Sequence, residues 1–128
     1  MLKLPCVDER KADRLPLALS LTYVIMDPTG ARMEGETKTI DIGGGGVRFA
    51  IPNHITLPAT CHVRLSVPSQ REPLQMTGQI AWSHPRCGKD PVRWEIGVAF
   101  CWTDGRNEVA FARYSRFIAS QLLALHLR

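Results

Sequence analysis

Thr39-Ile40-Asp41-Ile42-Gly43-Gly44-Gly45-Gly46-Val47-Arg48-Phe49-Ala50-Ile51 is the stretch that decides the fold. Four consecutive glycines exclude a helix, where glycine is the most costly ordinary residue to hold. The flanks argue against a linker: Thr39, Ile40 and Ile42 crowd one side and Val47, Phe49 and Ile51 the other, all β-forming residues. The segment reads as strand, glycine turn, strand. Asp41 stands just ahead of the turn, and bare backbone there can be approached by a ligand or a packing partner.

Outward from this hairpin the same period of two continues. Leu17, Leu19, Leu21, Tyr23 and Ile25 alternate with Ala18, Ser20, Thr22 and Val24, which predicts a first strand with one buried face. Asp27-Pro28-Thr29-Gly30 predicts a turn, because Asp accepts from the backbone, Pro presets φ and Gly closes it. A second strand then runs from about Glu34 to Ile42, and a third from Val47 to Ile51, stopped by Pro52-Asn53. Cys61, Val63, Leu65 and Val67 mark a fourth, followed by an exposed turn over 68–73; Met76, Gly78, Ile80 and Trp82 mark a fifth. Residues 83–91, with Pro85, Gly88 and Pro91, read as a loop. The last strand runs from Val92 to Trp102, with Trp94, Ile96, Val98 and Phe100 on one side. Trp82, Trp94 and Trp102 fall in phase with the apolar faces, which assigns them to the core.

The tail changes period. Phe111, Tyr114, Ile118, Leu122 and Leu125 recur at steps of three and four, the stripe of an amphipathic helix, with Thr103 or Asp104 as its cap. Six short strands and one helix give a mainly β fold: a small antiparallel barrel or sandwich closed by a C-terminal helix. Residues 1–15 read as a charged arm and residues 16–128 as the folded domain.

At 128 residues, 45% hydrophobic and 22% charged, the chain has the size and composition of one globular domain. No apolar run is long enough to span a bilayer, and the N-terminus lacks the apolar stretch of a signal peptide, so the expected compartment is the cytoplasm. Cys6, Cys61, Cys87 and Cys101 are scattered without a C-x-x-C pair, and His54, His62, His84 and His126 add no ligand beside them, so no metal is expected. Cys61 and Cys101 read as small core residues on strands, Cys6 and Cys87 as loop thiols. Enzyme motifs are missing too. No serine lies in G-x-S-x-G, Asp41 has no partner carboxylate, and Val47-Arg48 follows the glycines where a phosphate loop needs Lys-Ser/Thr. The net charge of +4 suits an anionic ligand rather than a nucleic acid polymer, whose binding on a small barrel would also call for exposed aromatics among basic residues.

A binding constellation remains. Arg10 and Arg14 stand four apart ahead of the first strand; guanidinium can grip phosphate or the O6/N7 edge of guanine and can stack on a purine. Arg10-Lys11-Ala12-Asp13-Arg14 fits R-x-x-x-R, and Asp41-Ile42-Gly43-Gly44-Gly45-Gly46, 27 positions after Arg14, nearly fits D/N-x-S-x-x-G. In this order and spacing the chain resembles the PilZ domain family of bacterial receptors for cyclic di-GMP. Val47-Arg48-Phe49, Gly78-Gln79-Ile80-Ala81-Trp82 and Ile96-Gly97-Val98-Ala99-Phe100 extend the likeness over roughly residues 9–118.

The resemblance implies a six-stranded split β-barrel with a C-terminal helix and a non-catalytic receptor without a cofactor. Arg10 and Arg14 would clamp phosphates and guanine edges, and Asp41 would accept from the N1 and N2 donors of guanine. Gly46 would let the ligand approach the backbone, and Arg48 would complete the set. Binding would draw the arm onto the barrel and signal to a downstream protein in motility, polysaccharide or biofilm output. The apolar helix end, Leu122-Leu123-Ala124-Leu125, would cover the barrel or pair with a second copy. One departure stands out. Position 43 carries Gly where the family has Ser, and a lost neutral hydrogen bond lowers affinity by about 1 kcal/mol, somewhat under tenfold. The alternative that Gly43 favours is a degenerate PilZ domain with weak or no nucleotide binding, acting as a protein–protein module.

Overall fold

The computed structural model describes residues 14–68, 70–86, 92–101 and 108–126. Six strands follow one another: β1 (Ser20–Met26), β2 (Arg32–Gly43), β3 (Gly46–Ile51), β4 (Thr60–Leu65), β5 (Leu74–Arg86) and β6 (Arg93–Phe100), before a 19-residue helix, α1 (Glu108–His126). Each strand has an apolar face to bury, and rolling the sheet buries all six at once. The strands pair in the order β1-β2-β3-β6-β5-β4 and close into a barrel, every contact antiparallel. Closure leaves no unpaired edge. Leu21, Tyr23, Ile25, Phe49, Ile51, Val63, Leu65, Met76, Ile96 and Val98 fill the interior, and Tyr114, Phe117 and Ile118 of α1 join the same core.

Two bulges correct the unbroken alternation expected from the sequence. Register shifts between Thr39 and Asp41 in β2, and between Ile80 and Trp82 in β5, leave Ile40 and Ala81 as extra residues. Thr39 pairs with the inward Phe49, and two residues later Asp41 pairs with Arg48 on the outer face. Ile80 points inward opposite Val98, while Trp82 lies outside opposite Gly97. Trp82 is therefore not a core residue. Its ring covers Gly97, where an added Cβ would come within 2.5 Å of the indole. Trp94 is partly buried against the core beside His54, with ring centroids 4.6 Å apart, and Trp102 lies outside the described residues.

Element ends also differ. The loop expected over 83–91 begins later, because β5 continues through Pro85 to Arg86, pairing with β6 down to Arg93; His84 is thus a strand residue. β1 begins at Ser20 rather than at Leu17, since the backbone at Leu17 and Leu19 is taken by the Thr39 side chain: its hydroxyl donates to Leu17 O at 2.5 Å and accepts from Leu19 N at 2.8 Å. Cys61 is buried, and burial pushes its thiol up to about 12. Cys101 is only half-buried, just past β6, and Cys6 and Cys87 lie outside the described residues, as does the helix cap expected at Thr103 or Asp104.

Helix α1 buries a narrower stripe than its periodicity predicts. Tyr114, Phe117 and Ile118 are in the core and Leu122 packs against it, but Phe111 and Leu125 remain 43% and 52% exposed. Core contact along the helix runs from Ala110 to Leu122, and Phe111 and Leu125 stay outside the core. Arg113 ties it to the β4–β5 loop through Gln70 Oε1 and the Glu72 carbonyl.

Candidate functional site: a carboxylate held by two arginines

The hairpin of β2 and β3 carries the site. The bulge at Ile40 turns Asp41 to the outer face, where Arg48 is its cross-strand partner. Leu15 brings the preceding segment alongside, exchanging two backbone hydrogen bonds with Ile42 (2.7 and 2.9 Å) in an isolated bridge. That bridge places Arg14 next to Asp41. Its Nε donates to Asp41 Oδ1 at 3.0 Å, Nη2 donates to the same oxygen, and Arg48 Nη2 donates to Oδ2 at 2.5 Å. Both carboxylate oxygens are engaged, and Asp41 is only 8% exposed.

The charges continue across the sheet. Arg48 Nη1 donates to Glu95 Oε1 at 2.9 Å, and Arg86 Nε stands 3.7 Å from Glu95 Oε2. Partial burial pulls against the charge of Arg48, but bonds and attraction from Asp41 and Glu95 outweigh it and raise its pKa. The result is an alternating row, Arg14–Asp41–Arg48–Glu95–Arg86, over four strands and the segment before β1. Pairing register adds one aromatic: Asp41, Arg48, Gly97 and Trp82 lie in a single outward rank across β2, β3, β6 and β5. A tryptophan face, two guanidiniums and a carboxylate on one surface can hold an anion with an attached planar ring.

The glycine turn borders this row. Gly43 lies against Arg14, and an added Cβ would stand 3.1 Å from Nη1 and 3.2 Å from Cδ. Gly46 is glycine for a different reason than ligand approach alone: a Cβ there would lie 1.8 Å from the Val98 carbonyl oxygen. Around Gly44 and Gly45 a Cβ would meet nothing within 4 Å. The turn carbonyls are bonded from inside the molecule. Phe100 N donates to Gly45 O at 2.8 Å, and the Tyr114 hydroxyl donates to Gly43 O at 2.5 Å with Gly46 O 3.2 Å away.

Of the residues singled out in the sequence, Arg14, Asp41, Gly43, Gly46 and Arg48 converge here, and Arg10 lies outside the described residues. Glu95, Arg86, Trp82 and Tyr114 were not legible as site residues. The first two become so only with the β5–β6 register, Trp82 only with the bulge, and Tyr114 reads in the sequence as one more apolar position of a helix stripe. Among the described residues no three His, Cys, Asp or Glu side chains gather as a metal site would require, and no helix is long and apolar enough to cross a membrane.

A family model, the PilZ domain, matches residues 8–117. No curated protein matches the chain. Among solved structures, the PilZ domain of CeSA from a cellulose-synthesizing bacterium superposes with a TM-score of 0.53 at 16% identity, covering 79% of this chain and 92% of that one. The Bacillus subtilis inhibitor of motility MotI/DgrA superposes with a TM-score of 0.57 at 12% identity, covering 85% of this chain. The present chain spans about half of MotI/DgrA (49%). At these identities the superpositions speak for the barrel and its helix.

Proposed function

The chain belongs to the PilZ domain family, and from that premise we propose that it is a non-catalytic receptor for cyclic di-GMP. The observation that carries the reading is the convergence of Arg14 and Arg48 on Asp41 beside Gly43, which brings one arginine of the arm motif onto the surface of the strand motif. Each carboxylate oxygen has two lone pairs, so Asp41 can accept from the N1 and N2 donors of a guanine while Arg48 stays in place. Arg14, one residue ahead of the Leu15–Ile42 bridge, swings from Asp41 to a phosphate or a guanine edge. Arg10 is four residues away and adds a second guanidinium. Closure of both arginines on the ligand then offers a downstream protein a changed surface, with an output in motility or polysaccharide production inferred from the family.

A second reading has an observation of its own. Gly43 lacks the family's serine hydroxyl, and both oxygens of Asp41 already have protein partners. A carboxylate already paired within the protein would suit a PilZ domain that has given up nucleotide and binds protein constitutively.

Calorimetric titration with cyclic di-GMP distinguishes the two. Under the first reading the parent binds, Arg14→Ala weakens binding by at least about tenfold, since bonds to charged groups contribute roughly 1.5–3 kcal/mol, and Gly43→Ser tightens it by somewhat under tenfold. The serine is accommodated by a few tenths of an ångström of movement at the flexible end of Arg14. A parent that gives no binding, with binding restored by Gly43→Ser, selects the second.

A further inference from the structure

The C-terminal helix reaches the site through one atom. Tyr114 is 0% exposed, and its ring is wedged edge-on by Phe100 with centroids 5.6 Å apart. Its hydroxyl lies beneath the glycine turn, 2.5 Å from the carbonyl of Gly43 and 3.2 Å from that of Gly46, residues 71 and 68 positions earlier in the chain. One phenolic proton serves both acceptors, Gly43 more closely. Packing does not call for that hydroxyl, because phenylalanine would fill the stripe beside Phe117 and Ile118 equally well. The buried phenol is held above its ordinary range, chiefly by desolvation, so it remains a donor wherever the protein is folded.

We propose that Tyr114 is a positioning residue of the nucleotide site, its hydroxyl fixing the Gly43–Gly46 turn in the shape that receives ligand. The inference rests on the receptor reading given above. A trans peptide carries its N–H opposite its C=O, so drawing the Gly43 carbonyl inward turns the Gly44 amide away from the Tyr114 hydroxyl. Phe100 N holds a second carbonyl of the turn, Gly45 O, at 2.8 Å. The turn needs such support: four glycines have the greatest conformational freedom a chain can have, and Gly43 lacks even a serine side chain to restrict it. Without the hydroxyl, the buried Gly43 carbonyl loses the donor that the helix supplies, the competent turn becomes a smaller fraction of the population, and apparent affinity falls by that fraction.

The test compares Tyr114→Phe with Ile118→Val, which trims the same helix–barrel seam without touching the turn. Cyclic di-GMP titrations are run well below both melting midpoints, and amide hydrogen exchange at Gly44–Gly46 is followed in the unliganded proteins. Tyr114→Phe is expected to bind about tenfold more weakly and to exchange about tenfold faster at the turn, with Ile118→Val within twofold of the parent in both. Parent-like affinity and exchange in Tyr114→Phe overturn the proposal, as does an equal change in Ile118→Val. If the parent itself does not bind cyclic di-GMP, the receptor reading fails, and exchange in the free proteins still decides whether the hydroxyl holds the turn.

Discussion

Two turns of the same barrel are built in opposite ways. Between β1 and β2, Asp27 organises everything locally: its Oδ1 accepts from Thr29 N (2.9 Å), Thr29 Oγ1 (2.6 Å) and Ala31 N (3.0 Å), and Gly30 N donates to Asp27 O at 3.0 Å. Gly30 has φ of +91°, so glycine is there for its backbone. Between β2 and β3, none of Gly43–Gly46 is in the left-handed region, and the turn's carbonyls are bonded by Phe100 and Tyr114 from far along the chain. The first turn shapes itself; the second is shaped by the molecule around it. A turn that carries a ligand site gains from the second arrangement, because its geometry is then coupled to the helix and to β6 rather than to its own sequence.

The largest expected effect is at Gly46. Alanine there puts a Cβ 1.8 Å from the Val98 carbonyl, a backbone atom that cannot step aside, so β3 and β6 must separate locally. A loss of about 3 kcal/mol in urea denaturation is expected for Gly46→Ala, the upper end for overpacking. Gly44→Ala, whose Cβ meets nothing within 4 Å, should stay within about 0.5 kcal/mol of the parent. Similar losses for both would show that the glycine run is needed for chain flexibility, and that support from β6 is incidental.

The same contrast explains what the sequence disclosed. Period-two alternation revealed the six strands, and the Asp27 turn was readable because all its partners lie within four residues. The ordered pair of motifs brought Arg14 and Asp41 together before any coordinate did. The bulges were not readable: Thr39-Ile40-Asp41-Ile42 and Ile80-Ala81-Trp82 look like continuous strand, and only pairing against β3 and β6 shows that one residue is extra. That single residue decides whether Asp41 faces Arg48 and whether Trp82 faces solvent. Pro85 suggested a loop because proline breaks ladders, yet it lies near the open end of β5 opposite Trp94, where a missing donor is tolerated. Tyr114 was correctly legible as buried. Its hydroxyl carried no periodic signal, since its partners are about 70 residues away.

Gly30 ranks next. An L side chain at φ +91° is strained, and Gly30→Ala should lower stability by about 1–2 kcal/mol. The space around it is open, so the loss comes from the backbone alone. Thermal unfolding would measure it, and cyclic di-GMP affinity should be unchanged, since among the described residues no hydrogen bond or ion pair links the side chains of this turn to Arg14 or Asp41. A change in affinity would mean that the two turns are not independent.

The smallest effect lies in the pH dependence of the Asp27 turn. The Thr29 hydroxyl bond is the largest influence and lowers the Asp27 carboxyl below its ordinary 3.8; desolvation, the next largest, opposes it, and backbone bonds from Ala31, Thr29 and Gly30 lower it further. The folded chain therefore prefers the charged form, and the unfolded chain holds the proton more tightly. Stability from this preference is complete above about pH 5, starts to decline as the pH falls through 3.8, and is gone below the lowered folded value. Asn at position 27 keeps an acceptor oxygen but has no charge to lose. The melting midpoints of the parent and Asp27→Asn should thus differ at neutral pH and converge as the pH falls below 3.8. Gly30→Ala supplies the control, because a backbone strain does not titrate and its gap from the parent should persist through the same range. If the Asp27→Asn gap persisted as well, the carboxylate's bonds within the turn would contribute geometry without charge, and the turn would be held by glycine and proline alone.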